Sequence, residues 1–414
     1  MMPEPRVTVG DALVQALARE RLRIVASLIR ITGDWDLAED VVADATERAL
    51  ERWPGDGVPT NPAAWLTRVA TRRAIDLARR ANLERSKLAE VAALGAQDTT
   101  ELVVPEPPAL EDERLRLIFT CCHPALPMEA RVALTLKVVS GLSTAAIARA
   151  FLTSEATMGQ RLLRAKRKIT NAGIPYRVPT ASMLPERLEG VLAVVYLIFT
   201  EGYAAADHAL AEEAIRLGRL LAELMPGDDE TRGLLALMLL QHARRDARLV
   251  DGELVTLEQQ DRSRWDVAAV DEARALQPIP GAGRGLYRIQ ADIAGIHTAA
   301  RAAADTDWAA IVRLYDELLG ILPSPVVRLN RAIAIGMCDG PLAGLAALDA
   351  VAAEGGLSDH YLIPAAQGDL LARAGLPAEA AAALRLAADR APTETERRQL
   401  ERRRHELLAN RPER

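Results

Sequence analysis

The sequence is poor in aromatic residues and in cysteine. Phe, Trp and Tyr together make up 3% of the 414 residues, and the chain contains 3 cysteines. Because sheet proteins rely on aromatic and β-branched residues, their scarcity beside abundant Ala, Leu and Arg predicts an all-α protein. Three cysteines, two of them adjacent, are also too few for a disulfide framework.

Targeting and membrane signals are absent as well. The N-terminus lacks a basic segment followed by an apolar one, so no signal peptide is predicted. The longest apolar runs, 191–199 and 234–240, are far shorter than the ~20 residues that a membrane span needs. We therefore expect a cytoplasmic protein that does not bind a membrane. The net charge of −6 argues against a uniformly basic surface but allows local basic stripes.

The length of the chain predicts two to four domains. Helical patterns fill two blocks, which an acidic segment with several prolines separates, and such a composition is typical of a linker. A break rich in Gly and Pro at 173–179 leads into a long region rich in Ala and Leu. The predicted domains are 8–83, 113–172 and 180–414, with 84–112 as the linker.

The C-terminal region contains a weak repeat. Ala310, Ala346 and Ala380 lie roughly one ~34-residue unit apart, which is the period of a tetratricopeptide repeat. Gly375 and Pro392 fall where such a unit places its turn glycine and its terminal proline. Small residues at a fixed spacing allow paired helices to approach closely, so we predict a stacked helical-repeat domain.

An acidic helix is predicted at 34–51, where seven residues are acidic and one is basic. Apolar residues line the neighbouring face, which we expect to pack inward. A solvated charged face is the common role of such a helix. The alternative is a docking surface for a basic partner. Four carboxylates share one narrow face of this helix: Asp36, Asp40, Asp44 and Glu47.

The next helix is basic. Asn61 followed by Pro62 is typical of a helix start. Arginines along the helix suit phosphate contacts, and the loop 53–61 can shape a pocket for an unstacked base. Arginine-rich helices are nevertheless common, and Trp65 is also compatible with a core position. The candidate DNA-binding residues here are Asn61, Trp65, Arg68, Arg72, Arg73, Arg79 and Arg80.

The third element predicts a helix-turn-helix. Gly141 ends one helix, Ser143 can cap a short second one, and a third spans 155–169. Gln and Arg on this last helix can reach base edges in a major groove, whereas Lys and the outer arginines suit phosphates. An ordinary amphipathic bundle helix does not require so much positive charge. The candidate DNA-binding residues are Thr157, Gln160, Arg161, Arg164, Arg167 and Lys168.

These segments resemble the extracytoplasmic-function sigma factors of the sigma-70 family. The motifs are DLAEDVV at 36–42, WLTRVATRRAID at 65–76, GLSTAAIA at 141–148 and ATMGQRLLRAK at 156–166. Four more segments are similar to the subgroup with a long tetratricopeptide-like C-terminal extension. They are LRLIFTCCHP at 115–124, YLIFTEGY at 196–203, EQQDRSRW at 258–265 and SPVVRLNRA at 324–332.

The resemblance implies a sigma region 2 helical domain, a linker, a sigma region 4 helix-turn-helix domain and a C-terminal helical-repeat domain. It implies two partners, promoter DNA and core RNA polymerase, the latter bound through its β′ clamp helices and β flap. The acidic face would dock on the clamp helices, the residues from Asn61 to Arg80 would open the −10 element, and the helix at 155–169 would read the −35 element. In this subgroup the C-terminal domain is expected to control activity.

Other candidate sites are weak. Adjacent Cys121 and Cys122 beside His123 invite a zinc interpretation, but two neighbouring thiolates rarely bind one tetrahedral ion, so we favour buried packing. The polar segment 258–265 is compatible with a ligand or protein partner of the C-terminal domain, or with a hydrogen-bonded structural network. No nucleophile–base set, Gly-rich phosphate loop or metal-spaced cluster occurs, so neither an enzyme nor a cofactor or metal is expected.

Two other functions remain open from the sequence. A one-component transcription regulator would combine the helix-turn-helix with a repeat sensor and would not bind core polymerase, but it leaves the acidic face and the basic helix 62–80 without a role. A helical-repeat scaffold that binds acidic proteins is a more remote alternative.

Overall fold

A computed structural model describes residues 8–92, 112–151, 153–250, 253–354, 357 and 360–409. Within these residues the chain is helical apart from turns and one short antiparallel ribbon, which confirms the predicted all-α class. The ribbon pairs Leu249 with Leu254 and Val250 with Glu253. The chain divides into two compact units, Met1–Glu213 and Ala214–Arg414.

The first unit contains eight described helices and the start of a ninth. They are α1 (Val9–Thr32), α2 (Trp35–Asp56), α3 (Pro62–Ala92), α4 (Glu113–Cys121), α5 (Met128–Leu134), α6 (Thr144–Ala150), α7 (Glu155–Asn171), α8 (Leu184–Ala204) and α9 (His208–Leu224). A π-helical segment, Thr135–Val139, prolongs α5.

Helices α1, α2 and α3 pack against one another. Gly33, in the left-handed conformation at φ 67°, ends α1, and the Asp34 side chain immediately caps α2. The tight connection lays α2 back on α1. Along its inner side α2 buries Trp35, Ala38, Val41, Val42, Ala45, Ala49 and Trp53. Helix α3 continues to Ala92, further than its sequence pattern predicts, and the rest of the predicted linker, 93–111, lies outside the described residues.

The helix-turn-helix has the predicted elements. Gly141 adopts φ 79°, Ser143 caps α6, and Ser154 caps α7 by accepting from the Thr157 amide at 3.1 Å. One side of α7 is apolar and buried, and it consists of Met158, Leu162, Ala165 and Ile169.

The first unit extends beyond the boundary near 172–180 that the sequence predicts. Helix α8 packs on α4 and α5, and its Val191 and Val194 are fully buried. In addition, the Arg187 guanidinium donates a 2.7 Å hydrogen bond to the Phe119 carbonyl. The Gly/Pro break before α8 therefore marks a turn inside a compact unit, because the apolar side of α8 is buried against the helices of the same unit.

The second unit is a series of helices in which chain neighbours pack as pairs from α14 onward. After α9 the elements are α10 (Asp229–His242), α11 (Arg245–Arg248), β1 (Leu249–Val250), β2 (Glu253–Leu254), α12 (Val267–Ala275), α13 (Leu286–Ala299), α14 (Trp308–Ile321), α15 (Pro325–Cys338), α16 (Pro341–Ala353), α17 (Leu362–Arg373), α18 (Pro377–Asp389) and α19 (Glu394–Ala409).

Small residues allow these helix pairs to approach closely, although not at every predicted position. Ala380 is fully buried, as a packing residue should be. Ala346 is exposed, so its predicted packing role is wrong. Gly344, two positions earlier, makes that approach instead, because a Cβ on it would lie 2.6 Å from the Gly336 Cα.

A buried ion pair joins α10 to α13. The Arg288 Nε donates to the Asp229 carboxylate at 3.0 Å, and the two side chains are only 3% and 6% exposed. Gly233 makes room for this contact, since a Cβ there would lie 2.7 Å from the Arg288 backbone. The ion pair thus joins two helices that are packed closely against each other.

Replacing Arg288 with Met should lower the free energy of unfolding of the second unit by about 3–5 kcal/mol, because the Asp229 carboxylate stays buried without its cation. Chemical denaturation of the full chain measures the loss. Exposed Arg301→Met is the matched control and should change stability by less than about 0.5 kcal/mol. Adding Asp229→Asn to Arg288→Met should restore part of the loss, and a double variant no more stable than the single one would contradict this explanation.

Candidate functional site

The four predicted docking carboxylates lie on the outer side of α2. Asp36, Asp40 and Glu47 are exposed, and Asp44 is half-buried. Within the described residues, the contacts of this face involve Asp36 and Asp44, whereas Asp40 and Glu47 have no hydrogen-bond or ion-pair partner. The buried apolar side of α2 therefore holds a row of carboxylates toward solvent. We call Asp36, Asp40, Asp44 and Glu47 the acidic face.

The basic helix α3 follows directly. Asn61 caps it, its side-chain oxygen accepting from the Ala64 amide at 2.9 Å. Trp65 is half-buried, and its ring meets the buried Trp53 edge-on, with ring centroids 5.5 Å apart. It therefore packs against the core on one side and is partly open to solvent on the other. Four of the predicted arginines are exposed along this helix: Arg68, Arg72, Arg79 and Arg80.

One arginine of α3 lies against the acidic face. The Arg73 Nε donates to the Asp44 carboxylate at 3.3 Å, and both side chains are partly exposed. Within the described residues, Arg68, Arg72 and Arg79 form no ion pair with α2, so the two helices do not close into one neutralised cluster. Among the described residues, the ion pair between Arg73 and Asp44 is therefore what links the acidic face to α3.

Helix α7 presents most of its predicted polar residues to solvent. Gln160, Arg164, Arg167 and Lys168 are exposed. Arg161 differs, because its guanidinium lies 3.3 Å from the Glu129 carboxylate. Thr157 is exposed, but its hydroxyl shares a 2.8 Å hydrogen bond with the capping Ser154.

An ionic cluster that the sequence does not predict joins α2 to α7. The Lys166 Nζ donates to Asp36 Oδ1 at 2.6 Å and to Glu39 Oε2 at 3.0 Å. The Glu39 carboxylate also lies 3.7 Å from Arg21 and 3.8 Å from Lys137. We call Arg21, Asp36, Glu39, Lys137 and Lys166 the Glu39 cluster. No local pattern predicts it, because Lys166 and Glu39 are 127 positions apart.

The centre of the Glu39 cluster is shielded from water. The Glu39 and Lys166 side chains are 14% and 11% exposed, whereas Asp36 is 70% exposed. Burial alone would lower the pKa of Lys166, but the hydrogen bond to Asp36 and the charge of Glu39 outweigh it, so the pKa is raised. Lys166 is therefore held in its charged form.

The adjacent cysteines are packing residues in this structure. Cys121 and Cys122 are buried, and burial raises the pKa of both thiols, that of Cys122 to about 11. The Cys122 thiol shares a 3.5 Å hydrogen bond with the Thr135 hydroxyl. Both side chains are therefore neutral thiols rather than thiolates.

The polar segment 258–265 takes part in a hydrogen-bonded network of the second unit. The Arg262 guanidinium donates to the His297 and Ala300 carbonyls at 2.8 and 2.9 Å, at the C-terminal end of α13, and lies 4.5 Å from the centre of the Trp265 ring. A cation there also complements the negative end of the helix dipole. Arg262 thus fastens the segment to α13.

A cavity of about 590 Å³ lies between α10, α12, α13 and α14. It is lined by apolar residues that include Leu240, Ile296 and Leu314 and by arginines that include Arg284 and Arg313. Its lining is both polar and apolar, and its volume suits a small molecule. No described helix is both long and apolar enough to cross a membrane.

Three family models match the chain. Sigma-70 region 2 matches residues 13–84, and Sigma-70, region 4 matches residues 116–169. The third, a family of unknown function (DUF6596), matches residues 187–277. The matches follow one another in the order of α1–α3, α4–α7 and the helices from α8 onward.

Relatives extend the comparison. An uncharacterized protein of Rhizobium meliloti is 41% identical over 389 residues, which cover 91% of this chain and 90% of the relative. The probable ECF RNA polymerase sigma factor SigI of Mycobacterium tuberculosis is 28% identical over 172 residues, in two strains. That alignment covers 41% of this chain and 59% of SigI. No solved structure matches the chain.

The Rhizobium relative is similar along almost the whole chain, so the two proteins share a family and its domain combination. Both sigma-70 regions are present, in the order that the motifs predict, and the similarity to SigI points to the extracytoplasmic-function group. The chain belongs to the extracytoplasmic-function group of the sigma-70 family of RNA polymerase sigma factors, in a subgroup with a long helical C-terminal extension.

Proposed function

We propose that the protein is an alternative sigma factor that binds core RNA polymerase and directs it to promoters with −10 and −35 elements, and that its C-terminal domain modulates this activity. The observation that carries the proposal is the separation of charge in the first unit. Carboxylates line the outer side of α2, whereas exposed cations line α3 and α7.

We assign core and −10 binding to 8–83, linkage to 84–112, −35 binding to 113–172 and regulation to 180–414. The linker would follow the path of the emerging RNA. All of these steps take place in the cytoplasm. Two features of the second unit support a protein or ligand partner for the C-terminal domain: its stacked helix pairs and the 590 Å³ cavity.

Core binding is assigned to the acidic face. Asp40 and Glu47 are exposed and have no cationic partner among the described residues, so a basic helix of the polymerase can pair with them without first breaking a contact. Such complementarity speeds encounter and fixes the register of the complex. The β′ clamp helices are the proposed site on the polymerase, and the β flap is the proposed site for region 4.

Promoter opening is assigned to the start and outer side of α3. Exposed Arg68 and Arg72 suit phosphate contacts, which release counterions from DNA. Trp65 is held in place by Trp53 and remains partly exposed, so it can stack on an unpaired base without first having to be ordered. Asn61 positions the helix start and keeps its side-chain NH₂ for a base contact.

Reading of the −35 element is assigned to α7. Gln160 lies in the N-terminal half of α7 and Arg164 lies near its middle, and both are exposed. The N-terminal part of a recognition helix is the part that reaches base edges. Arg167 and Lys168 suit the phosphates that flank these bases. Arg161 would first have to leave Glu129, which is itself 76% exposed.

Transcription in vitro separates this proposal from its main alternative, a helix-turn-helix regulator without polymerase affinity. The purified chain is added to core polymerase with a library of promoter fragments. New, sequence-specific transcripts support a sigma factor. DNA binding without transcripts would favour the regulator, and neither activity would favour a scaffold.

Charge reversal at Asp40 tests the acidic face. Asp40→Lys should weaken core binding about tenfold or more, because it places a cation where a basic helix docks, and a tenfold change corresponds to about 1.4 kcal/mol. Fluorescence anisotropy with labelled core polymerase measures the affinity. Asp56→Lys makes the same charge change at the exposed C-terminal end of α2, away from the acidic face, and should change the affinity less than twofold. Equal effects of the two substitutions would refute the assignment.

Arg164→Ala tests −35 reading. The substitution should cost about 1–3 kcal/mol of promoter binding if Arg164 contacts a base in a bidentate manner, and should relax the preference at one base pair. Binding of the holoenzyme to a set of −35 substitutions measures both quantities. Exposed Arg149→Ala, on α6, is the control and should leave the base preference unchanged. An unchanged preference at every −35 position in Arg164→Ala would remove this residue from base reading.

A further inference from the structure

The Glu39 cluster joins the two regions that act at separate places on a promoter. Lys166 belongs to α7, the helix assigned to −35 reading, while Asp36 and Glu39 belong to α2, the helix assigned to core binding. Asp36 is also one end of the acidic face. A cation of region 4 therefore occupies part of the surface proposed for the polymerase.

Other polar contacts hold the same arrangement. The Arg21 guanidinium donates to the Val138 carbonyl at 3.1 Å, and the Tyr176 hydroxyl donates to the Ala26 carbonyl at 2.9 Å. Arg30 on α1 lies 2.9 Å from Glu113 at the start of α4. Each contact joins α1 to elements that follow the linker, so the first unit is closed by several ionic and hydrogen-bonded contacts.

This closed arrangement conflicts with simultaneous reading of both promoter elements. The −10 and −35 elements are about 25 base pairs apart, which is roughly 85 Å at 3.4 Å per base pair. Lys166 on α7 is 2.6 Å from Asp36 on α2, and α2 packs directly on α3. The Glu39 cluster must therefore break before α3 and α7 can contact their DNA elements together.

We propose that the Glu39 cluster is an autoinhibitory latch, in which Lys166 acts as an internal competitor for the acidic face and core polymerase opens the first unit by displacing it. The polymerase part rests on the proposed function. Glu39 is the centre of the latch, since three cations from α1, the π-helical segment and α7 surround its carboxylate. Asp36 is the residue that latch and polymerase share. Asp40 and Glu47 remain open, so they can receive the polymerase first.

A latch of this kind leaves a fraction of the molecules unable to bind core polymerase. The apparent affinity for core falls by the fraction of molecules in the open form, so weakening the latch should tighten binding. The mostly buried Lys166–Glu39 pair is less screened by salt than an exposed pair, although Asp36 is solvated. Lys166 is not among the residues assigned to DNA, which makes it suitable for substitution.

The first experiment measures core binding by the full chain. Lys166→Met keeps the aliphatic stem and removes the charge, and it should tighten core binding about three- to tenfold. Arg149→Met removes one exposed cation of region 4 that is outside the Glu39 cluster and should leave the affinity unchanged. Equal affinities of wild type and Lys166→Met would overturn the latch, as would equal tightening by both substitutions.

The second experiment needs no polymerase. Spin labels are placed at exposed Gln15→Cys on α1 and Asn171→Cys on α7, in a Cys338→Ser background that removes the exposed native thiol. Pulsed electron resonance should give one narrow distance in the otherwise wild-type chain and a longer, broader one in Lys166→Met and in Glu39→Gln. Identical distance distributions in all three would overturn the closed contact.

The two experiments fail in different ways. If the wild type itself does not bind core, the proposed function is wrong and the competition with polymerase is overturned with it. The label distances still report whether Lys166 and Glu39 hold α7 against α2. If core binds and the distances do not lengthen when it is added, the latch is overturned while the proposed function stands.

Discussion

Repulsion between like charges on α2 is the constraint that shapes the polar surface of the first unit. Asp36, Asp40 and Asp44 follow one another at a spacing of four, which places each carboxylate beside the next, and such pairs destabilise a helix by about 0.2–0.5 kcal/mol each. The Asp34 cap and the buried inner side of α2 offset this cost. A cation that approaches these carboxylates still lowers their electrostatic energy. Neighbouring basic side chains therefore form ion pairs with α2.

Two members of the acidic face already lie against cations of the chain. Lys166 of α7 meets Asp36 at the N-terminal end of the face, and Arg73 of α3 meets Asp44, which lies between Asp40 and Glu47. Asp40 and Glu47 have none among the described residues. The charges of the acidic face therefore explain why Arg73 and Lys166 lie against α2 and why Asp40 and Glu47 can still bind a basic partner, whereas buried apolar side chains pack α3 on α2.

Packing, rather than charge, sets the limits of the compact units. Helix α8 follows a Gly/Pro-rich turn, yet its apolar side is buried with α4 and α5, so it belongs to the first unit. In the second unit, Gly233 and Gly344 allow neighbouring helices to approach closely. The Asp229–Arg288 ion pair lies where α10 and α13 approach each other at Gly233. Turn residues alone could not distinguish a bend within a unit from a boundary between units.

The sequence by itself determined the all-α class, the acidic face, the basic stripe of α3 and the helix-turn-helix, because each depends on helical periodicity and capping within about twenty residues. Only the tertiary structure decided that Ala346 is exposed while Gly344 packs, that Arg262 fastens a loop to α13, and that Lys166 reaches Glu39. These depend on which surfaces meet after the chain folds. A contact across 127 positions leaves no periodic trace in the residues that make it.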